Sequence, residues 1–295
     1  MPGNADRGEI APVSLFVVHW NQSAECLATI EELRAQDVPL DITVIDNASK
    51  PEAREILETR LGSEIQLIRL DRNRGWGGAL NIALKSWLER RTNRYCIISA
   101  HDAVPAADCL RLLIEAAEAD ARIGIACPQY HDPLVARFSP WRGVVPERVP
   151  VLPPGVAQPV DAAHGTLMLC RRECLQQIGL FDERYFAYGD EHELGLRARR
   201  NEWKVVMVWG AIVTNPGTST ESPLRSYLFA RNSLLLVRDY AGWWSALLRA
   251  AMIFLNTARL KLQSPGGDFA FSARARFRAV RDYFAGRWGK PDSVE

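Results

Sequence analysis

Between residues 13 and 127, short apolar runs rich in β-branched residues alternate with stretches of helical period, and this pattern constrains the chain more than any other feature. Val13 to His19, after Pro12, is long enough for a buried strand and too short to span a bilayer. Cys26, Leu27, Ile30 and Leu33 then recur with helical spacing, and Asp41 to Asp46 reads as a second strand. The unit repeats as helix Pro51 to Leu61, strand Ile65 to Leu70, helix Ala79 to Arg90, strand Tyr95 to Ser99, helix Ala106 to Ala119 and strand Ile123 to Cys127. This alternation predicts an α/β fold with a mostly parallel sheet flanked by helices on both faces, because parallel neighbours need a crossover connection. Ligands of such sheets collect beyond the carboxyl ends of the strands, which points to Trp20-Asn21, Asp46-Asn47, Asp71 to Gly78 and Ala100 to Ala103.

The densest chemistry lies further on. Residues 181 to 194 set four acids, Asp182, Asp190, Glu191 and Glu193, among aromatic residues at a loop-to-helix junction. Asp190 followed three residues later by Glu193 spells a capping box, so both acids have a structural use. Glu191 is left over at the first helical position, where it makes no capping bond and the helix dipole keeps it ionised, as a general base requires. The loop Asn73-Arg74-Gly75-Trp76-Gly77-Gly78 precedes a helix; its glycines either serve a tight turn, the reading that spacing favours, or let backbone amides approach a phosphate. It is no dinucleotide fingerprint, because Leu80 stands where the third glycine belongs. Arg74 adds a cation suited to phosphate. Asp102, just past the fourth strand, offers a hard oxygen ligand to a divalent metal, Mg2+ or Mn2+, while neighbouring His101 points elsewhere on an extended chain.

The prolines between Pro128 and Pro159 exclude regular helix and predict a long surface excursion carrying Arg137, Trp141 and Arg142. Regular structure resumes at Asp161 to Cys170, with a helix from Arg171 to Ile178. Past residue 220, Leu224 to Tyr240, Trp243 to Leu262 and Phe271 to Trp288 read as helices that interleave apolar stripes with arginines, among them Arg225, Arg231, Arg238, Arg249 and Arg259. They suit either packing on the parent domain or a lipid interface, and the division expected is 1–220 for the main domain and 221–295 for an interfacial helical region. Thirty-six basic against 35 acidic residues give a net charge of +1, so no overall field draws the chain to nucleic acid. Six cysteines without a CxxC pair, and an N-terminus without an apolar segment behind its charges, predict a cytoplasmic protein, peripheral on the inner face of the membrane.

With these residues placed, the chain resembles the family 2 glycosyltransferases, in particular a bacterial rhamnosyltransferase-like branch with the GT-A fold. The likeness covers roughly residues 13 to 240 and rests on ordered stretches: Val-Val-His-Trp-Asn (17–21), Val-Ile-Asp-Asn-Ala-Ser (44–49), Asn-Arg-Gly-Trp-Gly-Gly-Ala-Leu-Asn (73–81), His-Gly-Thr-Leu-Met-Leu-Cys-Arg-Arg (164–172) and the segment 179–194. The resemblance implies an inverting transferase that moves a sugar from a nucleotide-diphosphate donor to a hydroxyl of a glycan or lipid-linked acceptor in polysaccharide or cell-envelope synthesis. It implies a donor site drawn from Asn21, Asp46, Asn47, Asn73, Arg74, Gly75, Asn81, His101 and Asp102, a metal on Asp102, and a base at Glu191 or Asp190. The chain departs from the family pattern at Ala100, where many relatives carry Asp or Asn, in the reversed order Asp190-Glu191, and at Thr214-Asn215-Pro216, where relatives often have a histidine. Two other readings use the same residues. A sugar nucleotidyltransferase would carry a basic glycine-rich loop at the first strand, where this chain has His19-Trp20-Asn21. A non-catalytic binding or assembly protein is supported by the lone acid at 102 and opposed by the acids at 190–193.

Overall fold

The computed structural model describes residues 12–90, 93–215, 222–263 and 272–292. The N-terminal residues that bear on targeting, and the expected boundary at 220, lie outside them. Strand β1 (Val13–His19), α1 (Ser23–Arg34), β2 (Leu40–Asp46), α2 (Pro51–Arg60), β3 (Gln66–Arg69), α3 (Trp76–Arg90) and β4 (Tyr95–Ala100) alternate as the apolar runs predict. The short β5 (Val104–Pro105), α4 (Cys109–Ala119), β6 (Ile123–Gln129), β7 (Leu134–Ser139), β8 (Gly143–Arg148) and β9 (Ala157–Pro159) come next. They are followed by β10 (Leu167–Arg171), α5 (Arg172–Ile178), α6 (Asp190–Arg200) and β11 (Lys204–Thr214), and then by α7 (Ser222–Ala241), α8 (Trp243–Gln263) and α9 (Ala273–Phe284).

The main sheet runs β3-β2-β1-β4-β10-β6-β11-β5, with β9 added to β11. Strands β3, β2, β1 and β4 are mutually parallel, as are β6 and β11, whereas β10 runs antiparallel between β4 and β6. The chain leaves β1 toward β2 and later returns to its other side as β4, so the sheet switches direction there and opens a crevice at the carboxyl ends. Alternate side chains of β1 feed two cores: Leu15 and Val17 pack with Cys26, Ile30, Leu57 and Leu110, and Phe16 and Val18 with Leu80, Leu84, Ile98 and Leu194. All six cysteines are buried and unpaired, and burial pushes the Cys26, Cys109 and Cys127 thiols up to about 12, so they pack as small hydrophobes.

Two departures from the sequence reading are physical. The proline-rich excursion contains a hairpin, β7 paired with β8, in which Pro146 lies opposite Ala136. Proline excludes helix interiors, but a strand of a two-stranded ribbon has an unpaired side that needs no N–H. Helix α3 starts at Trp76 rather than Ala79, so Gly77 and Gly78 belong to its first turn. The C-terminal helices form a core of their own around Tyr227, Leu234, Ala250, Ile253, Val280 and Tyr283, and α7 also packs Leu235 and Leu236 against Tyr185 and Leu196.

Candidate active site

One wall of the crevice consists of strand ends. After β1, Asn21 takes a left-handed conformation (φ 63°), accepts a hydrogen bond from the Lys50 amide at 2.8 Å and donates its own amide to Ser49 Oγ at 2.9 Å. After β2, the buried Asn47 donates to the Gly75 carbonyl at 3.0 Å and to Asn73 Oδ1 at 3.1 Å, and accepts from the Arg74 amide at 2.9 Å. Asn73 Oδ1 in turn accepts from the Gly75 amide at 2.8 Å. Asparagine suits these positions because its amide supplies donors and an acceptor together. Gly75 is required where it stands: its φ is +78°, and a Cβ there would lie 1.9 Å from the Phe186 carbonyl oxygen.

Past β4, the His101 ring meets the Val18 carbonyl through Nδ1 at 3.1 Å and Gln22 Oε1 through Nε2 at 2.7 Å. Burial holds its pKa below the usual value. Asp102 accepts from Asn215 Nδ2 at 3.1 Å, the same amide lies 3.5 Å from Thr166 Oγ1, and Thr166 meets the Tyr130 hydroxyl at 2.6 Å. Tyr130 stacks on His164 with ring centroids 4.3 Å apart. Burial drives His164 down to about 4, so the ring is neutral and donates from Nε2 to the Pro128 carbonyl at 2.8 Å.

The opposite wall is the acidic segment. The capping box does not form: the N-cap of α6 is Gly189 in a left-handed conformation (φ 101°), Asp190 is the first helical residue and Glu191 the second. Asp190 reaches across instead, and its Oδ2 accepts from the Gly77 amide at 3.0 Å. A Cβ at Gly77 would lie 2.9 Å from that oxygen and 2.7 Å from the Phe181 Cβ, so this glycine serves close approach. The first turn of α3, which the sequence offers to a phosphate, is thus partly occupied by a carboxyl group of the protein. Glu193 pairs with Arg197 at 2.7 Å in place of capping. Contrary to the sequence reading, Glu191 does make a bond at the helix start: its Oε2 accepts from the Gly189 amide at 3.0 Å.

The two adjacent acids are unequal. Asp190 is fully buried, its Oδ1 has no hydrogen-bond partner, and burial together with the neighbouring Glu191 pushes its carboxyl well above the ordinary carboxylate range. Burial thus disfavours the charged form of Asp190.

The strained backbone ahead of α6 is fastened from a distance. Phe186 and Tyr188 have φ of 67° and 62°, conformations that cost roughly 1–3 kcal/mol each and persist only where their surroundings impose them. Carbonyls of Tyr185, Ala187 and Tyr188 converge on Asn232 Nδ2 at 2.9, 2.8 and 2.7 Å. The buried Arg231 donates to the carbonyls of Tyr185 at 3.0 Å, Arg184 at 3.3 Å and Gly289 at 2.8 Å. Arg231 therefore does not belong to a solvent-facing basic face as the sequence pattern suggests. The one signal for this pair is a charged residue within the apolar stripe of Leu228, Leu234 and Leu235.

Asn21, Asn47, Asn73, Gly75, His101, Asp102, Asp190 and Glu191 all line one cleft of about 1190 Å³. A single small ligand typically fills about 300–1,000 Å³, so there is room for a second substrate. Three expected residues lie behind the wall. Asp46 has no exposed surface; its carboxylate accepts from His19 Nδ1 at 3.1 Å and Arg54 Nε at 3.3 Å. Burial works against its charge, but the hydrogen bonds from His19 and Ser49 win and hold its pKa below the usual value. Arg74 turns to Asp71 at 3.6 Å, and Asn81 clamps the Phe181 backbone through both its amide nitrogen and its oxygen, at 2.9 and 3.0 Å. Trp76 of the expected loop joins the lining, and so, without having been expected there, do Thr166, Tyr130 and His164, Leu224 and Leu228 of α7, and Lys290 beyond α9.

Among the described residues, no three His, Cys, Asp or Glu side chains are grouped to hold a metal. Asp102 supplies one carboxylate facing the cleft, and both nitrogens of His101 are engaged. This donor set fits a divalent cation only when the ligand completes the shell.

The sequence model of glycosyl transferase family 2 matches residues 14–179, and a model for a glycosyltransferase-like family 2 matches 155–235. An N-acetylglucosaminyl-diphospho-decaprenol L-rhamnosyltransferase of Mycobacterium tuberculosis is 35% identical over 96 residues, spanning 31% of this chain and 31% of that protein. A low-salt glycan biosynthesis hexosyltransferase of Haloferax volcanii is 27% identical over 207 residues, 66% of each. Among solved structures, a mannosyltransferase from Pyrobaculum calidifontis in complex with GDP-Man and Mn2+ has a TM-score of 0.59 at 18% identity, over 93% of this chain and 87% of that one. S. aureus TarS 1-349 in complex with UDP-GlcNAc has a TM-score of 0.55 at 14% identity, over 92% and 80%. These structural likenesses show a GT-A fold.

Proposed function

The chain belongs to glycosyl transferase family 2, and from that premise we propose that it transfers a hexose-type sugar, rhamnose among the candidates, from a nucleotide diphosphate to an acceptor hydroxyl with inversion. The observation that carries this reading is the unequal acid pair at the start of α6, opening on the same cleft as the ends of β1, β2 and β4. Asp190 is buried, its charged form is disfavoured there, and it is tied to Gly77, so Glu191 is assigned as the proton acceptor. With Oε2 occupied by the Gly189 amide, Oε1 takes the acceptor hydroxyl's proton. The hydroxyl oxygen attacks the anomeric carbon, the bond from that carbon to the diphosphate oxygen breaks, and the electron pair leaves with the diphosphate. General base catalysis of this kind is worth about 10² to 10⁴ in rate.

Asn21, Asn47 and Asn73 are assigned to the donor, and Asp46 becomes a positioning residue that holds His19 and, through Ser49, the loop beneath Asn21. Asp102 would hold a divalent cation jointly with the donor diphosphate, and the cation's chemistry is neutralisation of leaving-group charge. The solved mannosyltransferase contains Mn2+, which supports this assignment.

The acceptor is assigned to the helical side of the cleft, where Tyr188, Leu224 and Leu228 offer an apolar wall. That chemistry suits a lipid-linked or glycan acceptor, and the name of the mycobacterial relative supports the former. Unpaired cysteines support work on the cytoplasmic face, and no described helix is long and apolar enough to cross a membrane.

The solitary acid at 102 favours one rival, a chain that binds nucleotide sugars without turning them over. A panel of nucleotide sugars, with and without Mn2+, read by thermal unfolding and then by NMR of the product anomer, separates the two. Stabilisation followed by an inverted product supports transfer. Stabilisation with no product from any acceptor favours the rival, and no stabilisation by any donor contradicts both.

A further inference from the structure

Helix α8 is apolar on two opposite faces. Its inner stripe, Ala246, Ala250, Ile253 and Thr257, is buried, with the first three in the core that α8 shares with α7 and α9. Its outer stripe is apolar too: Trp244 is 81% exposed, Leu248 51%, Leu255 72% and Leu262 81%. At about 100° per residue these four positions fall within roughly 40° of one another, a line about 27 Å long. A helix on the surface of a free-standing domain carries polar side chains there. An apolar strip on the order of several hundred Å² marks an interaction surface.

The charges beside the strip have one sign. Helix α8 contains no acidic residue, and its outward charges are Arg259 and Lys261. On the neighbouring α9, Phe277 stacks with Phe254 of α8 at 5.0 Å, and Arg274 and Arg281 share the helical face of Phe277. The one acid of α9, Asp282, is buried and enclosed by Tyr227, Arg278, Arg281 and Arg287.

We infer that α8, with the adjoining face of α9, lies in the plane of an anionic lipid surface. Trp244 and the leucines enter the acyl boundary, and Arg259, Lys261 and Arg274 meet headgroup phosphates. A second copy of this chain is the poorer occupant, because a two-fold contact would set this cation-rich surface against itself. Helix α7 links this face to the cleft: Leu224 and Leu228 line the cleft, and Phe229, on the same helix, is exposed and lies 4.7 Å from Tyr188. The inference is independent of the catalytic reading.

The test is flotation of the full chain with phosphatidylcholine vesicles, with and without phosphatidylglycerol, beside a Trp244→Ser, Leu255→Ser, Leu262→Ser triple variant whose unfolding temperature is checked. Sedimentation of both proteins without lipid runs alongside. The wild type should float with the anionic vesicles, more weakly at high salt, and the triple variant should bind at least about 100-fold more weakly while remaining folded. An Arg259→Glu, Lys261→Glu variant should lose the preference for phosphatidylglycerol. Equal flotation of the wild type and a folded triple variant would overturn the inference. So would a wild type that ignores both vesicles, and if it also sedimented as a dimer that the triple variant dissolved, the occupant would be a second copy. Should the triple variant fail to fold, the charge-reversal variant decides, because binding that is unchanged by charge reversal and by salt contradicts an anionic surface.

Discussion

The two walls of the cleft are built by opposite means. On the strand-end wall a parallel register sets His19 beside Asp46, and the loops that follow fasten one another with asparagine and serine side chains. The helical wall has no such lattice: Phe186, Tyr188 and Gly189 all take positive φ, and the carbonyls of Arg184, Tyr185, Ala187 and Tyr188 are gathered by Arg231 and Asn232 from the middle of α7. A wall of strand ends follows from the sheet itself, while a wall of strained loop needs an outside clamp. The C-terminal helices are accordingly part of the site, because one of them holds the acid-bearing segment in place.

The sharpest way to break this contrast is at the clamp. Arg231→Ala removes a buried charged donor from three carbonyls and should cost about 3 kcal/mol or more, lowering the unfolding temperature and turnover together. Arg231→Lys keeps the charge but loses the planar fork and should recover only part. Unchanged stability in Arg231→Ala would show that the strained segment holds itself.

Asn232→Ala and Asn47→Ala form a matched pair, each deleting a buried amide with several backbone partners, at about 1–3 kcal/mol. Asn232→Ala should lower kcat with donor KM nearly unchanged, and Asn47→Ala should raise donor KM with a smaller change in kcat. Steady-state kinetics with donor concentration varied at saturating acceptor checks this, and identical patterns in the two variants would dissolve the distinction between the walls.

For metal, removal of divalent ions should reduce turnover while leaving the unfolding temperature of the free protein unchanged, because Asp102 alone cannot bind a cation tightly. Calorimetry with Mn2+ should give weak binding that tightens when the nucleoside diphosphate is present. Full activity after exhaustive chelation would remove Asp102 from leaving-group chemistry.

The smallest effect concerns pH. The folded-state pKa of Asp190 is raised, so its contribution to stability is fully present below the ordinary carboxylate range and is lost as pH rises through the folded value. Asp190→Asn abolishes that dependence. Its unfolding temperature should gain on the wild type by a few °C as pH rises from acid to neutral. A constant difference across that range would show that Asp190 is ionised in the folded protein.

Strands β1 to β4 and β6 were legible in the sequence because they are short apolar runs at even spacing, and the strand-end residues Asn21, Asn47, Asn73 and Asp102 came with them, whereas β11 and the antiparallel insertion of β10 were not. Asp190 and Glu191 were legible as a dense acidic cluster, but their roles at the helix start were not, since a left-handed Gly189 took the N-cap that Asp190 was expected to fill. Gly77 could be read as a turn glycine or as a phosphate-binding one, and it is neither in the first instance, because close approach to a remote side chain selects glycine just as those do. Asp46 ended a strand as expected, yet His19 of the neighbouring strand turns its carboxylate inward. Arg231 and Asn232 are marked only by a charge within an apolar stripe, which does not reveal that they hold backbone carbonyls of an irregular segment more than forty residues earlier.

The central claim is that Glu191 accepts the proton while Asp190 keeps its own, and single-turnover kinetics of Glu191→Gln and Asp190→Asn test it most directly. Both should be run with a donor that protects the chain against unfolding. Glu191→Gln should bind that donor as the wild type does and react slower by about 10² or more, whereas Asp190→Asn should retain much of the rate. A slow Asp190→Asn beside a nearly wild-type Glu191→Gln would contradict the account and move the base to Asp190.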